Sequence, residues 1–387
     1  MKYARKLEEL ERAIFGCLHC NRCHYGQWPE NNEICPIFSY DQCFAHSAGG
    51  MMYLAKALIK EQTTYSDHLA DLVYTCSTCR GCDELCMLMR SVNPEMPLSD
   101  IIRLMRYELV KREMIPEKIK GLFSTVKNKG EIPANEAAAL PKLPEEIRKD
   151  DADMVVYGDC AHTAGQKAGY AHLYNVLKKM GQSVSLFTTG GCCGSTLFDY
   201  GFWDELPALV STKAARLRDY ACKSFIYLNP HCQEFITRRY NMIAEDFEPP
   251  KSRHASELIA EALDRGRLIP ANGTAIKVSY HDPCMLGRSL GITEPPRHVL
   301  RQLKGVELIE MKRNRQDTFC CGARAAGDYF ADFSLQTARQ RLAEFQDTGA
   351  DIMITACPYC HDIFQKAFGE EKDRVKELVA FVDERTE

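Results

Sequence analysis

The chain has 387 residues, 45% hydrophobic and 26% charged, the composition of a globular protein with room for two or three cores. A net charge of −4 without a long basic run excludes a surface built to neutralise rows of phosphates, so nucleic acid is not an expected partner. No apolar run approaches the ~18–20 residues that span a bilayer, and the charged segment Met1–Leu10 does not read as a signal peptide, so a cytoplasmic protein is expected, reaching a membrane only through a partner.

Residues 1–111 read as a helical domain. Tyr3–Ile14, Met51–Lys60 and Asp100–Lys111 carry apolar residues at helical spacing, the last with Ile101, Leu104, Met105 and Leu109 on one stripe. Residues 112–150 hold Pro116, Pro133, Pro141 and Pro144 and read as a connector. From Asp153 strands alternate with helices. The first module, 151–240, has a strand Met154–Tyr157 before Cys160, a helix Ala168–Met180, and a strand Ser183–Phe187 before Cys192-Cys193. A helix Leu206–Tyr220 and a strand Ser224–Leu228 before Cys232 complete it.

A linker, 241–275, with Pro249-Pro250 and a helix Ala255–Arg265, leads to a second module, 276–387. There strands at Ile276–Tyr280, Val306–Met311 and Asp351–Thr355 alternate with helices Pro296–Leu303 and Ser334–Phe345. Cys160 and Cys284 lie 124 residues apart, and the pairs Cys192/Cys320 and Cys232/Cys360 each lie 128 apart, a nearly constant offset that marks a duplication. Each cysteine placed just after a strand falls at the carboxyl edge of an α/β sheet, where such folds build sites.

Nineteen cysteines in a reducing compartment point to metals rather than disulfides, and seventeen of them fall into two arrangements that each occur twice. The first is Cys17-x2-Cys20-x2-Cys23 with Cys35-Pro36, answered by Cys76-x2-Cys79-x2-Cys82-x3-Cys86. A triplet at this spacing wraps one face of an iron–sulfur cubane, and its fourth ligand comes from the other motif in two-cluster proteins. On that logic Cys17, Cys20, Cys23 and Cys86 hold one 4Fe-4S cluster, and Cys76, Cys79, Cys82 and Cys35 hold the other. Zinc is the alternative, although all-cysteine zinc sites usually join two Cys-x2-Cys units rather than a triplet plus one.

The second arrangement is Cys160, Cys192-Cys193-Gly194 and Cys232, then Cys284, Cys320-Cys321-Gly322 and Cys357/Cys360. Adjacent cysteines bind neighbouring irons or bridge two, which points to an unusual cluster, and the glycines let the backbone turn beside it. The second set has five thiolates, one more than a cubane needs. The first has four, because Asn229 stands where Cys357 has its counterpart.

The string His281-Asp282-Pro283-Cys284-Met285-Leu286-Gly287-Arg288, with Cys320-Cys321-Gly322-Ala323 and Ala356-Cys357-Pro358-Tyr359-Cys360, resembles the cysteine-rich CCG-domain family. In the order of its parts the chain is similar to the D-type polypeptides of heterodisulfide reductase. The resemblance implies an α+β multidomain fold, an α-helical two-cluster ferredoxin-like domain followed by two duplicated α/β CCG domains. It also implies that Cys284, Cys320, Cys321, Cys357 and Cys360 hold a noncubane 4Fe-4S cluster and form the catalytic set for disulfide cleavage. Cys160, Cys192, Cys193 and Cys232 then hold a 4Fe-4S cluster or zinc.

No G-x-G-x-x-G follows a strand and no P-loop occurs, so electrons are expected from other redox subunits, flavin- or iron–sulfur-containing, of a larger complex. The expected function is an iron–sulfur electron-transfer subunit. The alternatives are a disulfide reductase at the second module, an iron–sulfur subunit of a glycolate, lactate or glycerol-3-phosphate oxidising system, or one of an anaerobic acyl-CoA or aromatic reductase complex. Cys43 and Cys222 read as buried apolar residues. His281 reads as a loop-orienting residue bonded to backbone, with donation to a substrate or sulfide the sharper alternative. His24, His46 and His162 read as bystanders rather than ligands. Lys312, Arg313 and Arg315 read as a solvated patch or a contact for an acidic partner, and Arg324 as a residue that fills or charges a substrate pocket.

Overall fold

A computed structural model of the chain describes residues 4–26, 32–86, 98–130, 140–159, 164–188, 191–220, 223–324, 327 and 330–387. Cys160, His162 and Cys222 lie outside the described residues.

The N-terminal part is helical, as its periodicity requires. Helices Ala48–Ile59, Asp67–Tyr74 and Leu98–Lys111 are its longest elements up to Lys111, and the first two begin where Ser47 and Ser66 accept a backbone N–H from Gly50 and Leu69. Leu98–Lys111 is buried along most of its length, which places it at the centre rather than the surface. At the start of the chain, a short 3-10 turn Leu7–Leu10 and a helix Glu11–Phe15 replace one continuous helix. Within 112–150 a helix Lys120–Lys129 forms, ended by Gly130 in the left-handed region, so the proline-rich stretch is not wholly irregular.

Two four-stranded sheets follow, both parallel throughout. The first is built from β1 (Met154–Gly158), β2 (Ser185–Thr188), β3 (Ser224–Tyr227) and β4 (Lys251–His254), in the order β2-β1-β3-β4. The second is built from β5 (Ile276–His281), β6 (Val306–Leu308), β7 (Ile352–Thr355) and β8 (Val375–Glu377), in the matching order β6-β5-β7-β8. Residues 241–275, which composition reads as a linker, supply β4 and the helix Ala255–Asp264. Val155, Val156, Phe225, Ile226, Val278, Met353 and Ile354 are fully buried, the near-continuous apolar pattern of strands covered on both faces.

The parts share cores. One apolar cluster joins the N-terminal helices to Val155, Phe225 and Trp203 of the first sheet region, and another joins Val156 and Ile226 to Val278, Ile354 and Phe381. Each such side chain removed from water contributes about 1.5–3 kcal/mol, so these contacts hold the parts in a fixed arrangement. The last helix, Leu378–Glu384, crosses back onto the first sheet's helix Ala164–Lys179, where Asp383 meets Lys179 at 2.9 Å and His172 at 2.8 Å.

Candidate metal centres

The two cysteine triplets lie on loops with the same backbone. In Cys17–Cys23 the left-handed residues are His19 and Asn21, and in Cys76–Cys82 they are Thr78 and Arg80, so in both loops they flank the middle cysteine. Left-handed backbone is costly for any residue with a side chain, especially β-branched threonine, and such strain collects at functional sites. The sequence spacing carries no sign of it.

The thiols sort into two groups. Burial pushes the Cys23 thiol up to about 12, with Cys86, Cys17 and Cys20 adding to the shift. Burial likewise raises Cys35 well above the ordinary thiol range, and Cys79 and Cys76 add to it. Cys23, Cys35, Cys76, Cys79 and Cys82 line one cavity. Cys86 thus lies near Cys17 and Cys23 of the first loop, and Cys35 near Cys79 and Cys76 of the second as well as Cys23. Cys20 is exposed, so one group reaches the surface, while Cys43 is also exposed and not the buried residue its isolation implies.

The second sheet carries its cysteines on the edge expected. Cys284 follows β5, and Cys357 caps the helix Pro358–Phe368 that follows β7. Cys320 and Cys321 precede Gly322, whose φ of +79° and crowding by Thr337 leave no room for a side chain. All five thiols are buried, and Cys321 Sγ lies 3.2 Å from Cys360 Sγ. In the first sheet Cys192, Cys193 and Cys232 are buried in the same arrangement, with Cys193 Sγ 3.6 Å from Cys232 Sγ. Asn229 caps the helix Pro230–Arg238 through Oδ1 at 3.0 Å from the His231 N–H, the place Cys357 takes in the second sheet.

Cys79 of the second loop meets the second sheet's cysteines. It packs on Cys284 and Cys320, and a hydrogen bond from Cys320 followed by the Arg288 guanidinium pushes its thiol down to about 6. Arg288 is buried and donates to the carbonyls of Cys79 (3.1 Å), Gln316 (2.8 Å) and Thr318. Its fixed charge faces Cys79, Cys284, Cys320 and Cys82. Sequence reading places Arg288 in a motif but not between two cysteine groups.

Other polar residues resolve in the same way. His281 is bonded not to backbone but to Arg341, whose Nε donates to its Nδ1 at 3.1 Å. His24 stacks on Phe38 at 3.9 Å, with burial pushing it down to about 4, and His46 pairs with Asp41. Arg313 and Arg315 are paired with Glu344 (2.9 Å) and Glu294 (2.7 Å), so the basic patch is largely neutralised within the molecule. Arg324 donates to Thr196 at 2.9 Å and Asp199 at 3.3 Å. With Ala323, Tyr359, Lys118, Asp362 and Lys366 it lines a cleft of about 620 Å³.

Sulfur donors in groups of three to five suit iron–sulfur centres or zinc rather than hard cations. Among the described residues no helix is long and apolar enough to cross a membrane.

Comparison with known proteins agrees with this geometry. The cysteine-rich domain family, CCG, matches residues 278–365, the stretch that contains all five cysteines of the second sheet. The D-type subunit of the dihydromethanophenazine:CoB–CoM heterodisulfide reductase of Methanosarcina acetivorans is 26% identical over 76% of this chain and 72% of its own length. The B-type subunit of the fumarate reductase (CoM/CoB) of Methanothermobacter marburgensis is 23% identical over 90% of this chain and 67% of its own. The uncharacterized iron-sulfur protein MMP1067 of Methanococcus maripaludis is 24% identical over 92% and 68%. A crystal structure of a hypothetical protein from Helicobacter pylori shares the fold, with a TM-score of 0.52 at 12% identity over 97% of this chain and 70% of that one. The chain carries a cysteine-rich CCG domain and, over most of its length, resembles the D-type subunit of heterodisulfide reductase.

Proposed function

We propose that the chain is an iron–sulfur electron-transfer subunit of a larger redox complex. The observation that carries this reading is the contact of Cys79 with Cys284 and Cys320, which joins the helical cysteine groups to those of the second sheet. Cys17, Cys20, Cys23 and Cys86 would hold one 4Fe-4S cubane, and Cys76, Cys79, Cys82 and Cys35 a second. Cys284, Cys320, Cys321, Cys357 and Cys360 would hold a noncubane 4Fe-4S cluster. Cys192, Cys193 and Cys232, with Cys160, would hold a 4Fe-4S cluster or zinc. Bound there, iron–sulfur groups supply one-electron transfer without proton chemistry of their own.

The residues around them orient and insulate. Arg288 ties the second loop to the second sheet, the apolar cores exclude water, and Cys20 marks the surface a redox partner reaches. The domain reading that follows is a ferredoxin-like part over 1–111, a connector, and duplicated CCG modules over 151–240 and 276–387. The matching strand orders of the two sheets support the duplication.

A second reading, disulfide reductase at the second module, is favoured by the cleft beside Tyr359 and Ala323. There a disulfide would take up two electrons from the redox partner and two protons from solvent as its S–S bond breaks to give two thiols. EPR of anaerobically purified, mildly oxidised protein with and without added thiols separates the two. A paramagnetic signal that shifts with thiol supports the reductase. Reduced-state signals alone, indifferent to thiol, support the relay, and protein without iron or acid-labile sulfide overturns both.

A further inference from the structure

His281 and Tyr157 occupy equivalent places in the two sheets. Each lies three residues before a cysteine, Cys284 or Cys160, on a strand in the interior of its sheet. Each is buried, 0% and 1% exposed, and each has a polar atom, His281 Nε2 and Tyr157 Oη, with no hydrogen-bond partner among the described residues. Leaving such a group unsatisfied costs about 1–3 kcal/mol, so a partner is expected when the protein is loaded.

The surroundings of His281 fix which proton it carries. Arg341 is fully buried and donates from Nε to His281 Nδ1 at 3.1 Å, while its Nη1 is held by Glu344 at 2.7 Å. A guanidinium only donates, so Nδ1 must accept, and the neutral ring then carries its hydrogen on Nε2. With Nδ1 taken, Nε2 is the nitrogen left for Cys321 and Cys360, whose sulfurs lie within 4.8 Å of a ring nitrogen. A nitrogen that bears hydrogen is a donor to sulfur and not a metal ligand. In the first sheet the Tyr157 hydroxyl lies near Cys193 and Cys232.

We infer that His281 Nε2–H donates a hydrogen bond to the sulfur of Cys321 or Cys360 in the metal-loaded second module and raises its reduction potential, with Tyr157 O–H in the corresponding place of the first. A donor to sulfur stabilises the more negative, reduced state, so removing it makes the centre harder to reduce. Glu344 and Arg341 act as positioning residues, because they fix the tautomer and the plane of the ring. The inference rests on the iron–sulfur reading of these cysteines.

The test is a potentiometric EPR titration of the whole chain with iron and sulfide assayed in parallel. His281→Leu is expected to keep its iron and to shift the midpoint of the second-module centre to more negative potential. His281→Gln, which restores an N–H, is expected to recover most of that shift, and Tyr157→Phe to leave this centre unmoved. Arg341→Met, which keeps the imidazole but frees Nδ1, is expected to shift the midpoint the same way by less, and it decides the matter should His281→Leu not fold. An unchanged midpoint in both His281→Leu and Arg341→Met at full iron content overturns the inference. Iron loss in His281→Leu and His281→Gln alike, or strong nitrogen hyperfine coupling in the parent protein, overturns it in favour of a ligand role. Absence of iron from the parent protein overturns the underlying reading instead.

Discussion

Arg288 Nη1 donates to the carbonyl of Cys79 at 3.1 Å, so a side chain of the second sheet region grips the backbone of a helical cysteine loop. The same guanidinium holds the Gln316 and Thr318 carbonyls, and Gly81 lies beside it, where an added Cβ would be 3.4 Å from its Cζ. Replacing Arg288 with methionine orphans three carbonyls in a buried place. The expected loss is about 3–5 kcal/mol, because each bond is charge-assisted and its acceptor cannot turn to water. Arg288→Lys recovers little, since an ammonium cannot present the planar fork. Anaerobic denaturant titration checks this; a loss under about 1 kcal/mol would show that the grip is incidental.

Asp199 bridges three parts of the molecule. It accepts from Arg103 of the helix Leu98–Lys111 at 2.8 Å and from Arg324 beside the second sheet's Cys-Cys-Gly at 3.3 Å. Burial alone would raise its carboxyl, yet Arg103 and Arg324 hold it below its ordinary value. Asp199→Ala leaves two buried guanidinium groups short of a counter-charge, one of them still served by Asp100. An expected loss of about 3–5 kcal/mol follows from stranding buried charge. Replacing Asp199 and Arg324 together should cost less than the two single changes summed, and simple additivity in that double-mutant cycle would argue against the bridge.

The alternation of strands and helices is legible in the residues because apolar periodicity and cysteine position agree. Val155, Val156, Ile226 and Met353 lie in strands where their pattern puts them, and Cys284 and Cys357 follow strand ends. What spacing does not carry is contact between distant segments. Cys79 and Cys320 are 241 positions apart, and nothing local in either loop points to the other. His281 stands out in the sequence for its place beside Cys284, but its partner Arg341 lies on a helix 60 residues on, so its orientation is not readable there. Cys43 shows the reverse error: residue type alone assigns an isolated thiol to the interior, and this one lies exposed beside a short turn.

The proposed crossed pairing of fourth cysteines gives a direct prediction. Cys86 raises the proton affinity of Cys17 and Cys23, while that of Cys35 is raised by Cys79 and Cys76 ahead of Cys23. Cys86→Ser and Cys35→Ser should therefore weaken different centres, each change lowering iron by up to about four atoms per chain. EPR of the reduced variants should show complementary losses. Loss of the same signal in both variants would mean that the two cysteines serve one centre.

Glu377 gives the molecule a pH dependence separate from its cysteines. Its side chain is buried, and Oε2 lies so close to the backbone of the helix Ala164–Lys179 that a Cβ on Gly169 would collide with it. Burial first, and then the charge of Asp159, pushes its carboxyl up to about 8 from an ordinary 4.5. Between those two values the folded chain holds a proton that the unfolded chain has released. The group is therefore neutral in effect below the lower value, and it withdraws stability as pH rises towards the upper one, at about 1.4 kcal/mol per unit. Glu377→Gln keeps the shape and removes the titration. The variant and the parent should unfold at similar denaturant concentration at about pH 5, and the variant should lead by a few kcal/mol at about pH 9. A constant difference between them across that range would mean that Glu377 reaches water or a cation when ionised, and that burial does not govern it.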